Sequence, residues 1–130
     1  MMNTTQRVVL SALTGGALGW LLENLAYGPR FSQNLPGVPF LPVYAAGGAA
    51  VALLEPHVRS QSLLVQALVY TGALTALEAA AGLTERALGR APSWDYNGAV
   101  IDVPHAALWG ALGLLAASVL RQVDKRSSGT

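Results

Sequence analysis

The stretch Ser62–Leu83, SLLVQALVYTGALTALEAAAGL, decides how this chain folds. It carries no charge before Glu78, and a helix crosses a bilayer with about 20 apolar residues. Thr71, Thr75, Glu78 and Gly82 follow one another at spacings of 4, 3 and 4, which puts them on one helical face. A stripe of hydroxyls, a carboxylate and a glycine belongs against protein or water, because an ionised group near the bilayer core is expensive.

Three further apolar stretches surround it: Val8–Leu22, Phe40–Leu54 and Pro104–Leu120. The pattern predicts an all-α, polytopic membrane bundle forming a single transmembrane domain over 1–130. Its four transmembrane helices are expected at 8–27, 41–54, 62–83 and 104–121, followed by a flexible tail over 122–130. The first stretch, preceded by Arg7, resembles a signal peptide. The three later spans and the lack of a small-x-small cleavage site favour a retained helix.

Composition narrows the function. Hydrophobic residues make up 52% and charged residues 12%, the latter about half the usual ~25%. The expectation is one domain with no soluble nucleotide-hydrolysing module. A net charge of +1 offers no basic surface for nucleic acid, and the absence of cysteine excludes disulfides and thiolate metal sites. No phosphate-binding loop, HExxH or serine-nucleophile motif is present. One histidine beside carboxylates is too sparse for a metal site, so no metal, cofactor or catalytic residue is assigned.

Ser11, Gly15, Gly19 and Glu23 recur every fourth residue, a stripe of small residues that lets a second helix approach closely and turns Glu23 toward protein. Gly28–Pro42 is rich in turn formers, and Glu55–Ser60 reads as a tight polar turn with His57 in solvent. Ala106, Gly110, Gly113 and Ala117 form the packing face of the last helix, which Asp102 is placed to cap. With four spans, Arg7, Arg59, Arg121, Lys125 and Arg126 share one side and Arg30, Arg86 and Arg90 the other. That bias places both termini in the cytoplasm, as for a multi-pass protein of a bacterial inner membrane, and turns Glu23, Glu78, Asp95 and Asp102 outward. The halves also echo each other: Thr14-Gly15 and Thr71-Gly72, Glu23 and Glu78, Val38-Pro39 and Val103-Pro104. Two tandem two-helix repeats are therefore expected.

The order of features is more specific than any one of them. Gly19-Trp20-x-x-Glu23 ends the first helix, and Gly37 with Pro42-Val43-Tyr44 enters the second. Glu78 comes late in the third, followed by Trp94-Asp95-Tyr96, Asn97-Gly98 and then Trp109-Gly110. From about Gly19 to Gly110 the chain resembles the CmpB-type family of ABC-transporter permeases, small integral membrane proteins. It departs from the family where Asn97-Gly98 follows the aromatic triplet at once, with no arginine after the glycine. It departs again at Ala45, where the family has Pro-Ile-Tyr-Gly, and at His105, where the family often has serine.

Glu23, Glu78 and Asp95, with His105, are expected to converge on one outer pocket walled by Trp20, Tyr44, Trp94, Tyr96 and Trp109. Neighbouring buried carboxylates share protons, and acids beside aromatic rings suit a cation, with cation–π contact contributing about 0.5–2 kcal/mol. The leading expectation is a permease-like or accessory transport subunit that binds a small polar or cationic ligand near Glu23 and Glu78. It would act as a homo-oligomer or with a partner membrane subunit, among membrane lipids. Two alternatives stand beside it. One is a membrane-embedded enzyme using Glu78 and Asp95 as acid and base on a lipid-linked or envelope substrate. The other is a scaffold subunit in which the acids tie helices and loops together. Singly, the Trp and Tyr residues read as interface anchors, and Asp95 as a turn cap or a partner of Arg86 or Arg90.

Overall fold

The computed structural model describes residues 2–22, 25, 41–89, 98–99 and 101–129. They form four antiparallel helices, α1 (Thr4–Leu22), α2 (Leu41–Val58), α3 (Leu63–Ala87) and α4 (Val103–Ser128). At 1.5 Å per residue the 25 residues of α3 and 26 of α4 each reach nearly 40 Å, against a hydrocarbon core of about 30 Å. These two helices are long and apolar enough to cross a membrane.

Local causes set the start of α1, both ends of α3 and the start of α4. α1 begins at Thr4, four residues before the expected Val8, because Asn3 and Gln6 close a reciprocal capping box. Gln6 N donates to Asn3 Oδ1 at 2.9 Å and Asn3 N to Gln6 Oε1 at 3.0 Å. α2 continues past Leu54 to Val58, so Glu55 lies in its last turns and not in a polar turn; Pro56 is inside the helix. Ser62 caps α3, its side chain accepting from Val65 N. α3 then takes in the Thr84–Ala87 segment and stops where Gly89 adopts a φ of 66°. Asp102 caps α4 as its spacing predicts, with Pro104 in the first turn.

The flexible tail expected over 122–130 is instead helix as far as Ser128. Gln122, Lys125 and Arg126 are good helix formers, and the two cations complement the negative end of the helix dipole. Asp124 is also held by Arg7 of α1, which anchors the turn to the rest of the bundle.

α1 packs most extensively on α2, and α3 on α4; α2 and α4 also meet across the centre, whereas α1 and α3 do not touch among the described residues. Small residues make both tight pairs possible. A Cβ at Gly48 would fall on the Ser11 carbonyl, one at Gly15 on the Tyr44 carbonyl, and one at Gly19 on the Tyr44 ring. In the second pair Gly110 rests on Thr71 and Gly113 on Tyr70. These are the small-residue faces expected of helices that pack by close van der Waals approach in lipid.

The distribution of polarity is that of a membrane protein. Val9, Leu13, Leu53, Leu64, Leu68 and Leu115 are exposed, while Arg7, Ser11, Glu55, Gln66, Glu78 and Glu85 are buried. Exposed leucines on every helix leave lipid as the surrounding solvent, and the buried charges must then find partners inside.

Candidate functional site

Glu78 stands on the hydroxyl-lined face of α3, and that face packs against α4. The residue is 3% exposed, and its carboxylate accepts from Trp109 Nε1 of α4 at 2.9 Å. The Trp109 ring in turn meets the Tyr44 ring of α2, with centroids 5.2 Å apart and planes tilted by 48°, a favoured arrangement for aromatic pairs. Three helices thus deliver an acid, an indole donor and an aromatic wall to one place. Thr75, one turn before Glu78, adds a buried hydroxyl that makes no hydrogen bond among the described residues.

The remaining expected residues divide into three groups. Glu23, Trp94, Asp95 and Tyr96 lie outside the described residues. Trp20 is 51% exposed, and its neighbour Gly19 lies against the Tyr44 ring. His105 lies one turn before Trp109 on α4, half-buried, with Nδ1 2.6 Å from Asp102 Oδ1. Burial tends to raise the Asp102 pKa, but the His105 backbone N–H and imidazole outweigh it and hold the carboxyl below its ordinary value.

A cavity of about 20 Å³ lies beside the aromatic pair, lined by Gly15, Gly48, Val51, Leu74, Trp109 and Gly113 among others. That is room for about one water molecule. Among the described residues no three metal-ligating side chains converge. The indole N–H fixes one carboxylate oxygen, and burial makes an uncompensated charge costly, so the arrangement suits a proton or a small cation at Glu78.

At the opposite end of the bundle is a second polar centre that the sequence reading missed. Glu55 is fully buried, at 0% exposure, and receives three arginines, from α1, from the turn just after α2 and from α4. Arg7 Nη2 reaches Oε2 at 2.6 Å, Arg59 Nη2 reaches the same oxygen at 2.8 Å, and Arg121 Nε reaches Oε1 at 2.7 Å. Arg121 Nη2 also donates to Gln66 Oε1 of α3 at 2.7 Å, and Arg7 Nη1 pairs with Asp124. One carboxylate therefore ties all four helices together. The available signals were the Glu55–Arg59 spacing of one helical turn and the grouping of Arg7, Arg59 and Arg121 at one end.

Residues 12–127 match the sequence family described as "Putative ABC-transporter type IV". No curated protein and no solved structure matches the chain. The family match takes in all of α2 and α3 and most of α1 and α4, including Tyr44, Glu78 and Trp109 as well as Glu55 and Arg121. With its apolar exterior and its two membrane-length helices, this is a transport-related membrane protein, and it belongs to the CmpB-type ABC-transporter family.

Proposed function

We propose that the chain is a multi-pass transport subunit whose Glu78 carboxylate binds a proton or a small cation between α2, α3 and α4. Both termini face the cytoplasm, and the Glu78 end of the bundle faces outward. The observation that carries this reading is the buried Glu78 itself, hydrogen-bonded to Trp109 Nε1 beside Tyr44 in an apolar span. A carboxylate kept in such a place at the cost of desolvation is a functional group by default in a membrane protein. Four helices seldom enclose a pathway alone, so the subunit works with a second copy or a partner membrane protein.

A scaffold role is the second reading, because the Glu78–Trp109 bond also joins α3 to α4. Trp109 emission separates the two. In a Trp20→Phe, Trp94→Phe background Trp109 is the sole indole. Titration of the nanodisc-embedded protein with protons, sodium or potassium should give a saturable change in emission. Glu78→Gln should abolish that change while leaving the helical circular dichroism intact. A flat titration, or the same response in Glu78→Gln, would overturn the ligand reading in favour of the scaffold.

A further inference from the structure

The Glu55 end of the bundle opens into a cleft of about 640 Å³ lined by Glu55, Arg59, Arg121, Asp124, Lys125 and Ser128. We propose that this cleft binds the phosphate of an anionic phospholipid headgroup. Its cations exceed what its acids consume. Arg7, Arg59, Arg121 and Lys125 stand against Glu55 and Asp124, with Arg7 bridging both acids from behind. Arg59 gives Glu55 only Nη2 and is about half exposed, so most of its five donors remain for a ligand. Arg121 turns Nε to Glu55 and Nη2 to Gln66, leaving Nη1 uncommitted in these contacts. Lys125 is exposed and forms no ion pair among the described residues. Two guanidinium groups fixed by a buried carboxylate and one mobile ammonium make a preorganised receptor for a tetrahedral oxyanion.

The level of the cleft selects a lipid over free phosphate. Leu63 and Leu64 at the start of α3 are more than two-thirds exposed. Gln66, within one turn of them, bonds Arg121. The cations therefore lie where the apolar surface begins, which is the headgroup level of a bilayer. Basic residues there gain from anionic lipid. This inference needs the membrane setting but not the Glu78 reading, since the two centres occupy opposite ends of the helices.

Native mass spectrometry of the full chain tests it, with phosphatidylglycerol, phosphatidylcholine or inorganic phosphate added to the detergent-solubilised protein. The expected result is retention of phosphatidylglycerol over phosphatidylcholine, falling about fivefold in Lys125→Gln and further in Arg59→Gln/Lys125→Gln. Arg86→Gln, at the other end of the bundle, should change nothing. Lys125 is outside the Glu55 network, so Lys125→Gln alone decides the question if the double variant does not fold. Equal retention of the two lipids, or phosphatidylglycerol retention unaltered by Lys125→Gln, would overturn the proposal. So would an equal loss in Arg86→Gln. Retention of inorganic phosphate without any lipid preference would overturn the lipid assignment.

Discussion

Glu55 and Glu78 show how differently two acids in apolar helices can be used. Glu55 is saturated by arginines, and removing its charge strands three cations around a buried site. Glu55→Gln should therefore destabilise the bundle by about 3–5 kcal/mol, read from denaturant unfolding in detergent. Arg59→Gln, which removes the most exposed of the three arginines, should cost far less, because solvent already screens it. Glu78 accepts the Trp109 indole N–H and sits where three helices meet. Sequence spacing identified Glu78 through its stripe, whereas Glu55 beside Pro56 and His57 looked like part of a solvated turn. Two of its three arginine partners lie 48 and 66 positions away along the chain, and no local pattern carries that information. Asp102 gives a pH prediction at the same scale. Its folded pKa lies below the ordinary 3.8, so its stabilisation of α4 is complete above that value and is lost as pH falls through the folded pKa. Helicity by circular dichroism in Asp102→Asn should lose this acid-dependent component.

At the level of the helices, the glycines separate contact faces from lipid faces. Gly48 admits no Cβ against Ser11, whereas a Cβ at Gly72 meets nothing within 4 Å. Gly48→Ala should destabilise the α1–α2 pair by about 1–3 kcal/mol through overpacking, and Gly72→Ala should be tolerated; thermal unfolding in detergent distinguishes them. The existence and order of the four helices were legible because long apolar runs between Pro- and Gly-rich connections admit few alternatives. The small-residue faces were legible because their spacing is helical. The ends were less so. Asn3 and Gln6 extend α1 through a capping box that precedes the apolar run, and Asp124 extends α4 through a partner on the first helix. Apolar periodicity records neither of these.

Across the whole molecule, charge is divided between the two ends of the bundle. Arg7, Arg59, Arg121, Lys125 and Arg126 lie at one end with Glu55 and Asp124; among the described residues Glu78, Glu85 and Asp102 lie toward the other with Arg86. The proposed topology, with the cationic end in the cytoplasm, rests on this bias. The chain lacks cysteine, so single cysteines can report that orientation. Ser127→Cys should be shielded from a membrane-impermeant maleimide applied outside intact cells, and Gly98→Cys should be labelled. The opposite pattern would invert the topology. On the proposed function the two ends serve separate purposes, a clamp of arginines that joins the helices on one side and a carboxylate site on the other. Infrared difference spectroscopy of the reconstituted protein tests that central claim most directly, by comparing spectra with and without the proton or cation load. The account predicts a carboxyl band that changes with load and vanishes in Glu78→Gln; a spectrum without such a band, or one that survives the substitution, would contradict it.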